Sequence, residues 1–390
     1  MKKEDYYKSY CLGCGLCHSC LGTNYSISEK GFKAPDSVDL SFAEKYCPVS
    51  VDNCNASCSS DNIWGDYTEV KRGYSKDSDL RKMASSGGLL SEIASYLLEK
   101  KLVDGVIHVG VGESPMSTKV YVSKSREEVI SHCGSRYIQS SPLESIVEIL
   151  EQEGTFAFIG KPCDVMILKN YLKSNPELEK KVYFMLSFFC AGMPSFKAND
   201  ELVKKMGCDE QIKSIMYRGN GWPGFATVEG LSGKKYTMPY SESWGHVLGR
   251  DKHKFCRLCM DGIGLFADIV CADAWYIKNN KPDFSENEGR NLVIVRSNIG
   301  KNIIEGMEKE ELVVLDGYDE FEKEMPVIQK YQYERRSTMK TQVFALKLLG
   351  IKLPKYKLSL LKKYGKFTDF KAKKNIFIGT LKRALKGRYR

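Results

Sequence analysis

Four cysteines within ten residues constrain this 390-residue chain more than any other feature of its sequence. The segment CLGCGLCHSC places them at three-residue intervals, with glycines between the first three. Thiolates at this spacing can converge on one iron-sulfur cube, and the small intervening residues let backbone N–H groups approach the sulfurs. Ferredoxin-type sites add a remote cysteine, often followed by proline, and Cys47-Pro48 fits that role. The sequence therefore predicts a 4Fe-4S site formed by Cys11, Cys14, Cys17 and Cys47.

The same cysteines allow three other interpretations. Cys20 competes for the fourth ligand position, although its spacing departs from the ferredoxin pattern. Zinc is the main alternative metal, but it usually takes two separated C-x-x-C pairs, so the spacing favours iron-sulfur. A disulfide framework ranks third, because the N-terminus lacks the apolar stretch of a secretory signal and a reducing compartment keeps thiols free. Cys54 and Cys58 are ambiguous, and we interpret them as loop thiols.

Composition and length are those of an ordinary soluble globular protein. Hydrophobic residues make up 42% of the sequence and charged residues 28%, and a chain of this length has room for two or three domains. No apolar run reaches the roughly 18 residues of a membrane-spanning helix. We expect a cytoplasmic protein with a ferredoxin-like module at 1–60, a main domain at 61–330 and a basic helical tail at 331–390.

Strands alternate with helices through the main domain, which predicts an α/β fold. The segments FAFIG and VYFMLSF are typical of buried strands. The pattern of residues 290–315 predicts a strand, a helix and a second strand. Cys163 and Cys190 follow the first two of these strands directly. Because functional groups in such sheets gather at the carboxyl ends of strands, we expect both thiols at one edge of the sheet.

A second group of cysteines is suggested by a C-x-x-C pair, Cys256 and Cys259. A pair of metal ligands needs partners, and Cys163 and Cys190 are available. Spacing alone leaves this second site open, since a cysteine at the end of a strand is usually a small buried hydrophobe.

The segment SSGGLLSEIASYLL predicts a helix that begins after Ser85, Ser86, Gly87 and Gly88. Free N–H groups at the start of a helix favour a phosphate group. Serine and glycine at that position are equally typical of ordinary capping. The motif on its own leaves both interpretations open.

Six ordered segments resemble the family of coenzyme F420 hydrogenase/dehydrogenase beta subunits. They span about residues 71 to 315 and comprise SSGGLLSEIASYLLEKKLVDGVI, GSRYIQSSP, IGKPCDVMILK, FFCAGMPS, the C-x-x-C pair and ADIVCADAW. The resemblance implies an α/β flavoprotein domain with FAD beside a 4Fe-4S cluster. With the N-terminal segment, two 4Fe-4S clusters and one FAD are expected.

Carried over by position, the resemblance also implies ligands. The second cluster is matched to Cys163, Cys190, Cys256 and Cys259. The flavin segments are matched to Ser85, Ser86, Gly87, Gly88, Ser135, Arg136 and Tyr137, and to the turn Lys161-Pro162. This chain departs from the family pattern where Gly-Thr-Pro-Cys-Gln becomes GKPCD and where Gly-Asp-Phe/Ala-Trp becomes ADAW. These changes keep the cysteines and leave the electron donor or acceptor open.

Together these features predict an iron-sulfur flavoprotein oxidoreductase. It would pass electrons between a ferredoxin-like carrier or redox partner subunit and a small organic substrate or a deazaflavin such as coenzyme F420. Catalytic acids and bases stay unassigned, because structural roles are favoured for His246, His253 and Asp273 near the C-x-x-C pair. A non-catalytic electron-transfer subunit and a metal-stapled scaffold or binding protein are the competing interpretations.

The positive charge of the chain is concentrated at its C-terminus. Residues 352–390 contain fourteen Lys or Arg and one acid, whereas the rest has 45 basic and 48 acidic residues. A helical face with Phe377, Leu381, Ala384 and Leu385 is typical of a basic amphipathic helix that lies on an anionic membrane. A solvated tail or a helix that docks on a protein is the alternative. Nucleic acid is not expected as a partner, since no recognition motif accompanies the charge.

Overall fold

A mixed α/β fold is seen in the computed structural model, which describes residues 2–50 and 61–389. The predicted loop thiols Cys54 and Cys58 lie outside the described residues. The strands are β1 Tyr25–Ile27, β2 Lys33–Pro35, β3 Glu69–Ser75, β4 Gly105–Val111, β5 Thr118–Ser123, β6 Phe156–Gly160, β7 Val182–Phe188, β8 Ile212–Met216, β9 Phe225–Gly230, β10 Lys235–Pro239, β11 Ile269–Asp273, β12 Tyr276–Lys278, β13 Lys281–Asp283, β14 Asn291–Val295 and β15 Val313–Gly317.

Helices surround these strands, and aspartate or serine side chains cap the start of several of them. Asp77 and Ser297, for example, each accept a hydrogen bond from a backbone N–H of the first turn. The α-helices are Lys3–Tyr10, Leu16–Leu21, Leu40–Tyr46, Ser78–Met83, Leu89–Glu99, Arg126–Ser131, Ile146–Glu151, Pro162–Lys173, Pro176–Glu179, Phe196–Lys205, Tyr240–Glu242, Lys254–Arg257, Asn298–Lys309, Phe321–Ile328, Lys330–Leu348, Leu358–Tyr364 and Phe370–Leu385.

The central element is an eight-stranded sheet in the order β15-β3-β14-β11-β7-β6-β4-β5. The four strands β11, β7, β6 and β4 are parallel, and the outer strands pair antiparallel. Alternate residues enter two different hydrophobic cores: Phe158 and Ile294 belong to one, Ala157 and Val293 to the other. The predicted α/β alternation, including the strand, helix and strand predicted over residues 290–315, is confirmed.

The carboxyl ends of the parallel strands form one edge of this sheet. β6 ends at Gly160, β7 at Phe188 and β11 at Asp273, and the β6–β7 and β7–β11 pairings are parallel. Cys163 and Cys190 follow two of these ends. The sequence prediction that both thiols lie at this edge is therefore confirmed.

The N-terminal segment packs directly against the main sheet domain. The backbone N–H of Leu143 donates to Cys14 O at 2.9 Å, and the Ser141 hydroxyl donates to Gly13 O at 2.8 Å. Gly15 has a φ of +93°, and a Cβ there would lie 2.6 Å from the backbone nitrogen of Glu144. Only glycine allows this close approach, so the small residues between the cysteines also hold the segment on the domain.

The C-terminal segment is also packed on the body of the protein. Arg336 and Tyr364 are fully buried, and the Arg336 guanidinium donates to Ile63 O. The helix Lys330–Leu348 ends before Pro354, and the next begins at Leu358. The face predicted for a membrane is divided: Ala384 is buried while Leu385 is 74% exposed. Among the described residues, no helix has the length and apolar character needed to cross a membrane.

Candidate functional site

Four N-terminal thiols line one small cavity. They are the four that the sequence predicts as ligands: Cys11, Cys14, Cys17 and Cys47. Tyrosine, phenylalanine and aliphatic side chains complete the lining, so the thiols face an apolar space. Cys20 lies outside this lining, and its thiol is in hydrogen-bond contact with the Tyr171 hydroxyl. The geometry thus favours Cys47 over Cys20 as the fourth member of the set.

Burial and mutual repulsion act on these thiols together. Burial raises the pKa of Cys11 to about 12, although the Gly13 N–H donates to its sulfur at 3.3 Å. Burial also raises the pKa of Cys14 and Cys47 well above the usual range, and the charges of neighbouring cysteines raise it further. Four thiolates in an apolar cavity are stable only with compensating positive charge, which metal ions supply. The donor set therefore fits a metal-containing group.

The second predicted set also converges. Burial raises the pKa of Cys163, Cys256 and Cys259, and the charge on Cys190 raises each of them further, which places all four thiols in one neighbourhood. Backbone hydrogen bonds fix the loops that carry them: Cys190 N–H donates to Gly262 O at 2.9 Å. The Met193 N–H donates to the Cys256 sulfur at 3.4 Å. The three chain segments that had to meet for this set to exist do meet.

Both sets consist of sulfur donors alone, without a tight single-ion site. In the part of the chain that the structure describes, no three Cys, His, Asp or Glu side chains converge closely enough to hold one metal ion. A 4Fe-4S cube is larger than a single ion and takes one cysteine at each iron. Two sets of four cysteines match that ligand number.

The helix Pro162–Lys173, called the bridging helix below, contacts both thiol sets. Cys163 lies in its first turn, and Ile167 one turn later lines the cavity of the N-terminal set. The Cys163 sulfur lies 4.0 Å from an Asp164 carboxylate oxygen. Burial raises the pKa of both Cys14 and Cys163, and the Asp164 charge raises each further, so this carboxylate lies near both thiols. One rigid element therefore fixes the position of the two sets relative to each other.

Lys161, predicted as a flavin contact, is held by protein groups at the start of the bridging helix. Its ammonium lies 2.7 Å from an Asp164 carboxylate oxygen and donates to the Ser140 hydroxyl at 2.8 Å. Burial alone would lower the pKa of Lys161, but the charges of Asp164, Cys163 and Cys190 and the hydrogen bond to Asp164 together outweigh it, and the pKa is raised. Pro162, the other predicted contact in this turn, is the first residue of the helix. Its missing N–H suits that position.

The predicted flavin residues Ser85, Ser135 and Arg136 come together at the start of the loop 135–140. The other end of this loop, Ser140, contacts Lys161. The Ser85 hydroxyl accepts a hydrogen bond from Ser135 N–H at 2.8 Å and donates to Arg218 O at 3.2 Å. Beside them, the buried Nε of Arg136 has no hydrogen-bond partner among the described residues. The Tyr137 ring packs 4.7 Å from Trp244. A half-buried guanidinium with an unused donor suits an anionic ligand group.

Packing explains part of the Ser-Ser-Gly-Gly motif. The Ser86 hydroxyl donates to Arg290 O at 3.0 Å. A Cβ on Gly87 would lie 2.8 Å from Asn291 N and from Gly73 O, so glycine is needed for contact with the sheet. At the helix start, Gly88 has a φ of +79° and Leu89 N–H donates to the Asn291 side chain. Ordinary packing and capping thus account for Ser86, Gly87 and Gly88.

Sequence reasoning missed a buried ion pair at this edge. Arg218 donates to both oxygens of Asp273 at 2.9 Å, and the Trp222 indole N–H donates to the same carboxylate at 2.8 Å. The Trp222 and Trp275 rings stack 4.5 Å apart beside them. Asp273 and Trp275 in the ADAW segment carried the only available signal, because Arg218 lies far away in sequence.

The two histidines near the C-x-x-C pair provide no evident acid or base. Burial lowers the pKa of His253 to about 3, and its Nδ1 accepts a hydrogen bond from Phe255 N–H at 3.2 Å. His253 is therefore a neutral structural residue at physiological pH. His246 is exposed in the π-helical turn Ser243–Val247.

Two family models match the chain over most of the main domain. The model for the N-terminal part of the coenzyme F420 hydrogenase/dehydrogenase beta subunit covers residues 70–148. The model for its C-terminal part covers residues 154–320. The predicted flavin contacts and the cysteines of the second thiol set all lie within these ranges.

Known relatives and a solved structure show the same similarity. The chain is 20% identical to the coenzyme F420 hydrogenase subunit beta of Methanothermobacter thermautotrophicus over 298 residues, which are 75% of this chain and 99% of that protein. It is 24% identical to the F420-dependent formate dehydrogenase subunit beta of Methanocaldococcus jannaschii, over 62% of this chain and 58% of the relative. A chain of the F420-reducing [NiFe] hydrogenase complex from Methanosarcina barkeri superposes with a TM-score of 0.52 and 22% identity, over 71% of this chain and 94% of that one. The shared fold is therefore established over the main domain.

Proposed function

Since the chain belongs to the family of coenzyme F420 hydrogenase/dehydrogenase beta subunits, we propose that it is an iron-sulfur flavoprotein oxidoreductase working as a redox subunit. It would pass electrons between a ferredoxin-like partner and a small organic substrate or deazaflavin, through two 4Fe-4S clusters and FAD. The observation that carries this proposal is the convergence of eight cysteines into two sets of four that share the bridging helix.

Each thiol set would hold one cluster. Cys11, Cys14, Cys17 and Cys47 would hold the first, in the apolar cavity that they line. Cys163, Cys190, Cys256 and Cys259 would hold the second, at the carboxyl edge of the sheet. In both sites backbone N–H groups lie near the sulfurs, at Gly13 and Met193 respectively. Such donors stabilise charge on cluster sulfurs and tune the reduction potential.

The flavin would bind along the loop that runs from Ser135 to Ser140. At one end Arg136 offers an unpaired donor beside Ser85 and Ser135, which suits the diphosphate of FAD. At the other end Ser140 contacts Lys161, next to Cys163. The segment therefore spans the distance from the proposed phosphate contact to the second thiol set.

The proposed cofactors divide the chemistry between them. A bound flavin supplies exchange of electron pairs with organic compounds and of single electrons with iron-sulfur clusters. The protein positions these groups, excludes water from the apolar cavity around the first thiol set, and provides N–H donors around the second. The relatives named as subunits of a hydrogenase and a formate dehydrogenase support a partner subunit as the other electron carrier.

The test is cofactor analysis of protein purified without oxygen. We expect about eight irons and about one flavin per chain, with the absorption of cubane clusters. Zinc without iron or flavin would contradict the proposal. Reduction of a deazaflavin or a dye by the isolated chain would support an enzyme. Redox-active clusters without turnover would instead support an electron-transfer subunit, and redox-silent clusters a scaffold.

A second proposal concerns location: the helix Phe370–Leu385 contacts an anionic membrane surface through its solvent face. Phe370 is 82% exposed and Leu385 74% exposed on that face. Four exposed lysines lie beside them: Lys371, Lys374, Lys382 and Lys386. Apolar side chains flanked by lysines complement the interface of a bilayer with acidic lipids.

A further inference from the structure

We propose that Arg335 is a positioning residue for the second cluster: its guanidinium supplies the cation and a hydrogen-bond donor that raise that cluster's reduction potential. This inference rests on the proposed function, because it requires a cluster at Cys163, Cys190, Cys256 and Cys259. It concerns a residue of the helix Lys330–Leu348, which lies beyond the matched family range that ends at residue 320.

Arg335 is anchored to the backbone of two of the four cysteines. It is buried, with 4% of its surface exposed. Its two terminal nitrogens donate to Cys256 O at 3.3 Å and to Cys190 O at 3.2 Å. The Gln332 side chain, one turn earlier, also binds the guanidinium and donates to Cys190 O at 3.1 Å. These contacts join the helix to both loops of the thiol set.

The Arg335 guanidinium also occupies the space that a side chain at position 262 would take. A Cβ on Gly262 would overlap the guanidinium of Arg335. Gly262 O in turn accepts the hydrogen bond from Cys190 N–H. The loop after the C-x-x-C pair is therefore shaped around Arg335, and a bulkier residue at position 262 would displace it.

One donor of Arg335 remains unused. Its Nε is buried and has no hydrogen-bond partner within the described ranges 2–50 and 61–389. No carboxylate forms an ion pair with Arg335 there either, in contrast to Arg218 with Asp273. Groups whose charge acts on it include the Tyr331 phenol and the thiols of Cys259, Cys190 and Cys256. A buried cation needs a counter-charge, and the thiol set lies beside it together with this phenol.

The direction in which Arg335 shifts the reduction potential follows from charge. A 4Fe-4S cluster on four thiolates is anionic, and one-electron reduction adds one negative charge without breaking a bond. A fixed cation with a free N–H donor interacts more strongly with the reduced form than with the oxidised form. Arg335 would therefore favour reduction of this cluster, as hydrogen bonds to cluster sulfurs generally do.

The experiment is a redox titration followed by electron paramagnetic resonance on the full chain. The C47A substitution serves as the background, so that the second cluster alone contributes the signal. We expect R335Q to keep its iron and to titrate at a more negative midpoint potential. The matched control is K347Q, which removes one positive charge from the exposed end of the same helix; its midpoint should not move.

Each of the following results would decide whether Arg335 has this role. An unchanged midpoint in R335Q with full iron content would overturn the role of Arg335 and leave the proposed function intact. Absence of iron from the parent chain would overturn the proposed function and the inference with it. Should R335Q not fold, the hyperfine coupling between ¹⁵N and the reduced cluster is measured instead on the ¹⁵N-arginine-labelled parent chain. R335K, labelled in the same way, is the comparison. A ¹⁵N coupling to the reduced cluster that R335K abolishes supports the inference, and a lack of coupling overturns it.

Discussion

Arg218 and Asp273 form a bidentate ion pair in the interior, although 55 residues separate them in sequence. Arg218 is only 3% exposed, and its guanidinium also lies 4.7 Å from the Tyr240 ring. The pair fixes the end of β11 against the loop that carries Trp222. This edge of the sheet is therefore held by an ion pair whose arginine is almost fully buried.

Breaking this pair is expected to destabilise the fold. Removing one partner of a buried pair leaves an uncompensated charge, which costs about 3–5 kcal/mol. We expect R218M and D273N each to lower the thermal unfolding midpoint markedly. The control is K213Q, which removes an exposed pair with Glu229 and should cost about 0–1 kcal/mol. Equal midpoints for R218M and K213Q would contradict the structural role.

The choice between Cys47 and Cys20 can be tested by iron content. C47A removes one thiol from the cavity of the N-terminal set, so we expect it to lose about four irons per chain. C20A leaves that set complete and should keep its iron. The measurement is iron and acid-labile sulfide per chain after purification without oxygen. Iron loss in C20A alone would reverse the assignment.

Flavin affinity is expected to depend on Arg136. Hydrogen bonds to charged groups contribute about 1.5–3 kcal/mol, so R136M should weaken FAD binding about 10- to 150-fold. The matched control K124M removes an exposed cation of the same region and should bind FAD as the parent chain does. Fluorescence titration of the flavin-free protein measures the difference. Identical dissociation constants for R136M and the parent would place the diphosphate elsewhere.

Acid is expected to destabilise the fold through His108. Burial, reinforced by the charge of His132, lowers the pKa of His108 from 6.5 to about 4. Between these values the unfolded chain binds the proton and the folded chain does not, so stability falls as the pH drops from about 6.5 towards 4. The full effect is about 3 kcal/mol.

The substitution H108Q isolates this effect, because glutamine keeps a polar contact for the Ser123 hydroxyl and cannot be protonated. We expect the unfolding midpoint of H108Q to fall less than that of the parent chain between pH 7 and pH 5. H246Q, at an exposed histidine, should follow the parent. Parallel pH curves for H108Q and the parent would show that His108 does not carry the acid sensitivity.

Membrane contact is tested by flotation with vesicles of phosphatidylserine and phosphatidylcholine. Each lysine near an anionic surface contributes about 1 kcal/mol, so K371Q/K374Q should weaken binding about 30-fold. K204Q/K205Q, on an exposed helix end elsewhere, is the control. Deleting residues 352–390 is unsuitable, since it removes the buried Tyr364 and Tyr389. If the parent chain does not float with the vesicles, the membrane proposal is wrong. Binding of the chain to an acidic protein surface would instead indicate a protein partner.

Local patterns in the sequence predicted the buried strands β6, β7, β14 and β15, the helix after Gly88 and the N-terminal thiol set. The second thiol set was expected only from the family resemblance. Apolar segments predicted β6 and β7, because these signals lie within short stretches of sequence. Arg335 and Arg218 escaped prediction, because each acts on residues that are distant in sequence. The helical face of residues 370–385 was divided by packing: Phe377 lies 6.0 Å from Phe344 of another helix, and periodicity cannot show which neighbour a helix meets.

The bridging helix has a kinetic consequence. Cys163 at its start and Ile167 at the cavity of the N-terminal thiols belong to one continuous hydrogen-bonded rod. Cofactors held by the two thiol sets would keep a constant separation, because this one helix contacts both sets. Electron transfer between these cofactors would then occur by tunnelling, at a rate that does not depend on solvent viscosity. Added glycerol would slow only the association with partner proteins and substrates.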